Sequence, residues 1–92
     1  MLVLPAELTH AQATACVRML VQALRSASGQ EVVADASALQ HFDSSALAVL
    51  LECRREALAA GKQFAVSQLP PRLRSLAALY GVAGLLPDVP AH

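Results

Sequence analysis

Short strand-like runs alternate with helix-length amphipathic segments along this sequence. Residues 1–4, 31–35 and 63–67 are apolar or β-branched runs, and a stretch with apolar residues at helical spacing follows each one. Pro5 ends the first run, which is typical of an edge strand or the end of one, whereas the run at 31–35 is typical of a buried central strand. Neighbouring parallel strands must be joined by a crossover of a dozen or more residues, usually a helix. The sequence therefore predicts an α/β fold, with a sheet of about four short, largely parallel strands and three main helices packed against it.

Residues that begin and end helices delimit the three helical segments. Thr9 and Gln12 form a capping-box pattern, which places the first helix at about 10–27. Asp43 and Ser44 can each cap the second helix, because their side-chain oxygens can accept hydrogen bonds from its first amides. The remaining signals are glycines that end helices and prolines that suit a first helical turn: Gly29, Gly61, Gly81, Pro70 and Pro71.

Helical spacing also predicts which apolar side chains are buried. Leu79 falls away from the apolar stripe of the third helix, on the side of Arg72 and Ser75. Such a leucine is a candidate interface anchor, although a singly exposed leucine is also common. The predicted core positions are, helix by helix, Ala13, Val17, Leu20 and Leu24; Ala46, Leu47, Leu50, Leu51 and Leu58; and Leu73, Leu76, Ala77 and Tyr80.

Length and composition indicate one globular domain. The chain has 92 residues, enough for one core and too few for two. Hydrophobic residues make up 55% of it and charged residues 15%, which is typical of a chain that folds around an apolar core. We predict a single domain over residues 1–92, in which Leu85 and Leu86 pack back on the core and residues 87–92 form a flexible tail.

Charge and hydropathy argue against several classes of partner. Seven basic and seven acidic residues cancel, and the pI near 6.8 leaves no field that attracts nucleic acid or anionic lipid. No apolar run reaches the ~18 residues of a membrane span, and no signal-peptide pattern opens the sequence. We therefore expect a cytoplasmic protein that binds no nucleic acid and is not inserted directly into a membrane.

The reactive residue types form no catalytic or metal-binding pattern. Cys16 and Cys53 lie far apart without neighbouring histidines, so we interpret them as two buried, reduced thiols and not as part of a zinc site. His41, Asp43 and a serine lie within one short loop, whereas hydrolytic triads are assembled from distant parts of a chain. The glycines do not form a phosphate-binding loop. We predict no enzyme activity, no metal and no cofactor.

A strand, a loop, Asp43-Ser44-Ser45, an apolar helix, a Gly-Lys pair and a second strand follow one another in the middle of the chain. This order resembles the STAS family, and the resemblance implies a STAS-like sheet and a single STAS domain that acts as a binding module. Ala46 departs from the pattern, since family members often have Gly there and Ala resists the positive φ that Gly tolerates. The matching residues are Val32 to Leu51, Gly61-Lys62, the strand at 64–66, and Glu7-Leu8-Thr9 as the turn before the first helix.

The end of the chain is similar to one branch of that family. The stretch from Leu76 to Pro87, with its brief Leu-Tyr ending, resembles the STAS subunit of the Mla phospholipid-transport system of Gram-negative bacteria. This resemblance implies that the partner is an ABC-transporter ATPase, whose assembly and activity the subunit supports. It also implies that the protein reaches the inner membrane only peripherally, through the transporter complex.

The resemblance also implies where the partner binds. The site comprises Asp43, Ser44 and Ser45 at the start of the second helix, and Leu79 is a further candidate contact. A helix start stabilises negative charge, so a phosphate on either serine would be tolerated by the fold. A purely structural interpretation, in which Asp43 and Ser44 only cap the helix, stays open.

A second function is compatible with the same residues. In the anti-anti-sigma branch of the STAS family a kinase phosphorylates the second serine of the motif, which corresponds to Ser45. The partners would then be an anti-sigma factor and a serine kinase. A phosphate beside Asp43 would add repulsion and a desolvation cost to a surface that binds while neutral. The identity of the genes beside this one would separate the two functions.

Overall fold

Helices and strands alternate along the chain in the computed structural model, which describes residues 2–89. None of the helices within this range is long and apolar enough to cross a membrane. The elements, in chain order, are β1 (Leu2–Val3), β2 (Glu7–Leu8), α1 (His10–Ser26), β3 (Glu31–Asp35), β4 (His41–Phe42), α2 (Ser45–Ala59), β5 (Gln63–Ser67), α3 (Pro71–Leu79) and a short 3-10 helix (Ala83–Leu85).

The main sheet is parallel and has the order β1-β3-β5. β3 is therefore central and β1 lies at an edge, as predicted. On the other side of β5 the chain pairs once more, because Val66 donates its amide to the Pro87 carbonyl at 2.8 Å and accepts from the Val89 amide at 2.9 Å. Residues 87–89 thus lie parallel to β5 as a fourth short segment of the sheet. The α/β class with about four largely parallel strands is confirmed.

The ordered segment 87–89 differs from the flexible tail predicted from residue 87 onward. Besides its pairing with β5, an ion pair between Asp88 and Arg74 joins it to α3. Leu86, the apolar residue before this segment, is fully buried, and its burial places residues 87–89 against the rest of the protein. The rest of the predicted tail, residues 90–92, lies outside the described residues.

All three helices lie on one face of the main sheet. Each connection advances one strand in the same direction, and right-handed crossovers in one direction place their helices on one face. The contacts of α2 with both α1 and α3 agree with this arrangement. Every helix therefore begins at the carboxyl edge of the sheet, where β3 and β5 end at Asp35 and Ser67, and runs back to the opposite, amino edge.

Most predicted core positions are buried, but the stripe of α2 is rotated from the predicted one. Ala46 and Leu50 are buried, whereas Leu58 is 48% exposed and its prediction as a core residue is wrong. At 100° per residue, position 58 lies about 120° around the helix from position 46. The core is filled instead by Val49, Cys53 and Ala57, which lie roughly one, two and three helical turns after Ala46. The predicted stripe was centred too far toward Leu51 and Leu58, although it shares Ala46, Leu47 and Leu50 with the buried face.

A similar correction applies to the end of α3. Leu73 and Ala77 are buried as predicted, but Tyr80 is 58% exposed. Tyr80 has the right angular position for the stripe, yet the helix ends at Leu79 and Tyr80 is its C-cap residue. The chain then turns through Gly81, which has a φ of +74°. The side chain after the last helical residue is thus carried away from the core.

A second, two-stranded sheet that the sequence did not predict lies at the carboxyl edge. β2 and β4 pair in parallel, with Leu8 opposite Phe42. The Ala6 carbonyl accepts hydrogen bonds from the amides of Gln40 and His41, at 2.8 and 2.9 Å, just before this pair. Since α1 begins shortly after β2 and α2 shortly after β4, this small sheet brings the two helix starts together.

Candidate functional site

The carboxylate of Asp43 joins the starts of α1 and α2. Its Oδ1 accepts a hydrogen bond of 2.8 Å from the Ser45 amide, at the first residue of α2. Its Oδ2 accepts one of 3.1 Å from the His10 amide, at the first residue of α1. The first amides of a helix have no partner within the helix, so one side chain here satisfies a free donor in each of two helices.

These hydrogen bonds also set the protonation of Asp43. The Ser45 amide, followed by the His10 amide, lowers the pKa of the Asp43 carboxyl from its ordinary value. The charged form is favoured because only the carboxylate can accept both bonds fully. Asp43 is exposed, yet both of its oxygens are engaged with the backbone of its own chain. It therefore holds the loop in place through one hydrogen bond to each helix start.

Ser44 and Ser45 have different environments although they are neighbours. Ser44 is the N-cap residue, but its φ of −63° and ψ of −15° are helical and its hydroxyl makes no capping hydrogen bond. The N-cap role of its side chain, which the sequence left open, is taken by Asp43. Ser44 is exposed, whereas Ser45 is half-buried and donates its amide to Asp43. Ser44 thus offers a hydroxyl to the surface at a rigid helix start.

The start of α1 is held by the predicted capping box. The Gln12 Oε1 atom accepts hydrogen bonds from the Thr9 amide at 2.8 Å and from the Thr9 hydroxyl at 2.7 Å. The Gln12 Nε2 atom donates to Glu7 at 2.6 Å. This network fixes the turn before α1, so the His10 amide is presented to Asp43 in a defined position.

The start of α3 reaches the same edge. The Arg72 guanidinium carbon lies 5.6 Å from the centre of the ring of Phe42, the residue before Asp43. A cation at this distance over an aromatic face is attracted to it. Positive charge from α3 therefore borders the loop that carries the serines.

The remaining predicted site residue, Leu79, is not part of this cluster. It is 76% exposed, in agreement with its predicted position off the core stripe. It is the last residue of α3, at the amino edge, while the serines are at the carboxyl edge. The structure brings Asp43, Ser44 and Ser45 together and leaves Leu79 about the length of α3 away, roughly 13 Å at 1.5 Å per residue.

Sequence reasoning missed the contribution of α1 to the site. The amide of His10 is a backbone group, and it meets Asp43 across a separation of 33 residues. The one local signal is the resemblance of Glu7-Leu8-Thr9 to the turn before the first helix in the STAS family. That resemblance does not indicate that Glu7-Leu8 pairs with His41-Phe42. Two strands of two residues each are too short to produce a detectable alternation of apolar and polar residues.

The other reactive residue types singled out in the sequence are His41, Cys16 and Cys53. Within residues 2–89, no hydrogen bond connects the His41 ring with a serine, and no three metal-ligating side chains cluster. Cys16 and Cys53 are buried and unpaired, as the sequence predicted. Burial raises the pKa of both thiols, that of Cys53 to about 12, so neither is a ready thiolate nucleophile.

Comparison with protein families agrees with this geometry. The family model described as Mlab, STAS domain matches residues 1–87. This chain belongs to the STAS family. The match covers both helix starts of the site, and it confirms the resemblance that the Asp43-Ser44-Ser45 pattern suggested. No curated protein matched the sequence.

Two solved structures share the fold of this STAS domain. One is a protein from Thermotoga maritima described as an anti-sigma factor antagonist, with a TM-score of 0.79 at 15% identity over 97% of this chain and 78% of that one. The other is an anti-sigma-factor antagonist (STAS) domain protein from Planctomyces limnophilus, with a TM-score of 0.79 at 16% identity over 98% of this chain and 80% of that one. At these identities the likeness establishes the fold.

Proposed function

We propose that this STAS domain is a non-enzymatic subunit that docks on the cytoplasmic ATPase of an Mla-type ABC transporter and supports its assembly and activity. The observation that carries the proposal is the match of the Mlab family model over residues 1–87. Through this partner the protein would be held peripherally at the inner membrane, since none of its described helices can span one.

The start of α2 supplies the docking surface in this proposal. Asp43 fixes the loop through the amides of His10 and Ser45, which leaves the exposed Ser44 hydroxyl free to exchange hydrogen bonds with a partner. A rigid surface loses little conformational entropy on binding, so a small polar contact can contribute specificity. Leu79 is proposed as a second contact, which requires a partner that covers the length of α3.

Substitution of the two serines tests this site. Ser44→Glu and Ser45→Glu add negative charge at a helix start, where the dipole tolerates it, so the stability of the free domain should change by less than about 1 kcal/mol. At an interface the same charge must be desolvated beside Asp43, which should weaken ATPase binding by about 100-fold or more. The measurements are thermal unfolding of the domain and its titration with the purified ATPase.

A control serine is available after the end of α1. Ser28 is exposed at the opposite end of the molecule from the start of α2 and is not among the proposed contacts, so Ser28→Glu should alter neither folding nor binding. Full-strength binding by both Ser44→Glu and Ser45→Glu would remove the start of α2 from the interface. Unfolding of these two variants, with Ser28→Glu folded, would instead assign the serines a structural role.

A second candidate function is favoured by the two structural neighbours. Both are described as anti-sigma factor antagonists, and this STAS domain shares their fold. In that case a serine kinase would phosphorylate Ser45 and release an anti-sigma factor. Incubation with the serine kinase of such a system and ATP, followed by mass spectrometry, tests this function. Phosphate on wild-type protein that is lost in Ser45→Ala, together with binding to the anti-sigma factor, would favour it over transport.

A further inference from the structure

A groove runs between α1 and α2, beginning one turn beyond the Asp43 loop. Its upper half is a surface cavity of about 320 Å³, and its lower half has a volume of about 410 Å³. Val17 and Arg18 line both halves, so the two cavities adjoin along α1, and the groove they form is called the channel below. The upper half is lined by Ala13, Thr14, Val17, Arg18, Ala48 and Val49.

The side chains that line the upper half of the groove are mostly small or apolar. The two helices that carry them are joined to each other at both ends. Ala13 and Ala48 lie on opposite walls of the upper half, and the absence of longer side chains creates the space. Asp43 joins the helix starts, and the ion pair of Arg25 with Glu56, at 3.1 Å, joins the helices near their ends. These two contacts place α1 and α2 side by side at both ends of the groove.

One charge on the groove has no partner. The acidic side chains of the α2 wall are engaged, since Glu52 pairs with Arg55 at 3.3 Å and Glu56 pairs with Arg25. Arg18 is exposed where the two halves of the groove meet, and within the described range of the chain no carboxylate forms an ion pair with it. The groove thus combines an apolar upper half with one unmatched positive charge at its lower end, and the complement of that half is an apolar stripe beside an acidic residue.

Helical geometry identifies the kind of segment that fits. The channel is bordered by side chains and offers no free sheet edge, so an added strand would find no backbone partners there. A helix has its backbone hydrogen bonds satisfied internally and can lay its side chains between two others. The channel continues to Arg25, and its part nearer the start of α2, from Ala13 to Val21, extends for about 12 Å, or roughly two turns of a bound helix.

We propose that the groove between α1 and α2 receives an amphipathic helix of the partner ATPase, with small apolar side chains over Ala48 and Val17 and an acidic residue at Arg18. This inference rests on the proposed function, because it specifies what segment of the ATPase binds beside the Ser44 surface. A helix seated there would extend the contact from the start of α2 along two further turns.

Filling the groove and reversing its charge test the proposal. Ala48 is exposed on α2, so Ala48→Leu should fold normally while it occupies the channel. Arg18→Glu replaces attraction by repulsion. Each variant should weaken binding to the purified ATPase by about tenfold or more, the change that corresponds to about 1.4 kcal/mol. The matched controls are Ala23→Leu, an exposed alanine on α1 outside the groove, and Arg54→Glu on α2, which should both bind like the wild type.

Photo-crosslinking identifies the occupant. A diazirine amino acid is placed at Thr14, in the groove, at Ala23 as the control, and at Ser44 to report on the proposed docking surface. Crosslinks from Thr14 to a helix of the ATPase that carries an acidic residue, with none from Ala23, are the expected result.

The other outcomes distinguish failure of the groove proposal from failure of the proposed docking on the ATPase. A Ser44 crosslink to the ATPase without one from Thr14, or full-strength binding by Ala48→Leu and Arg18→Glu, overturns the groove and leaves ATPase docking intact. A Thr14 crosslink to a second copy of this chain also overturns the groove proposal. If neither Thr14 nor Ser44 crosslinks to the ATPase and the wild type does not bind it, the proposed function itself fails.

Discussion

The two edges of the sheet use opposite charges for the same purpose. At the carboxyl edge, Asp43 accepts from the amides of two helix starts. At the amino edge, the Lys62 ammonium donates to the carbonyls of Ala27, at 3.0 Å, and Gly29, just after the end of α1. Helix starts present free donors and helix ends present free acceptors, so an anion is suited to one edge and a cation to the other.

The edges differ in how firmly these charges hold them. Asp43 has a short side chain within a paired loop, whereas Lys62 reaches its acceptors through a flexible four-carbon chain. The surface around Lys62 is also more apolar, since Leu58, Leu79 and Tyr80 are exposed in the elements that end at that edge. The comparison teaches that short, hydrogen-bonded side chains give the carboxyl edge a fixed polar surface, whereas the amino edge presents apolar side chains on helix ends.

Large-to-small substitutions along α2 should show the strongest contrast. Leu50 is fully buried, so Leu50→Ala should lower the free energy of unfolding by about 2 to 5 kcal/mol. Leu58 is 48% exposed near the amino edge, and Leu58→Ala should cost less than about 1 kcal/mol. Urea denaturation of both variants provides the values. Equal losses would mean that the buried face of α2 has been assigned wrongly.

Removal of the charge of Asp43 or of Lys62 should lower stability less than Leu50→Ala does, and by unequal amounts. Asp43→Ala removes the acceptor that joins two helix starts, while Lys62→Ala removes a flexible donor from the carbonyls just after one helix end. We expect Asp43→Ala to lower the melting temperature more, with faster hydrogen exchange at the His10 amide. Ser44→Ala is the control, because the Ser44 hydroxyl makes no capping bond and its loss should leave the melting temperature nearly unchanged.

Acid should weaken the carboxyl edge before the amino edge. The pKa of Asp43 is lowered in the folded state, so its contribution to stability is present above the unfolded pKa of about 3.9 and is lost as pH falls through the folded pKa. Asp43→Asn should therefore flatten the fall in stability at acid pH. Asp35 contributes in the same direction, because hydrogen bonds from Ser37 lower its pKa, and the double variant with Asp35→Asn should flatten the acid dependence further. An unchanged pH profile in Asp43→Asn would contradict the role of Asp43 in joining the two helix starts.

Replacement of the exposed leucine at the amino edge should have the smallest effect on folding. Leu79 is 76% exposed, and Leu79→Ser should change stability by less than about 0.5 kcal/mol. If Leu79 is an anchor as proposed, the same change weakens ATPase binding several-fold. Retained affinity in a titration of Leu79→Ser would confine the interface to the carboxyl edge.

Much of the architecture could be predicted because its signals are local. The capping box of Thr9 and Gln12, the glycine at 81 and the β-branched runs each act within a few residues, and the elements they mark are in place. The exposure of Leu79 was likewise predictable from the 100° repeat of a helix. Leu58 shows the limit of this reasoning, because it lies only about 20° around the helix from buried Leu47, yet that side of α2 becomes exposed toward the helix end.

The sequence by itself determined the α/β order, the three helices and the serine-bearing start of α2, because caps, turns and apolar periodicity depend on residues that are close in sequence. Only the tertiary structure decided that β2 pairs with β4, that Asp43 bonds the amide of His10, and that Arg18 borders a groove between two helices. The Asp43 contact joins residues 33 positions apart and has a backbone amide as donor, a group that every residue except proline carries. No side-chain pattern encodes such a contact, so it exists only once the sheet has set the helices side by side.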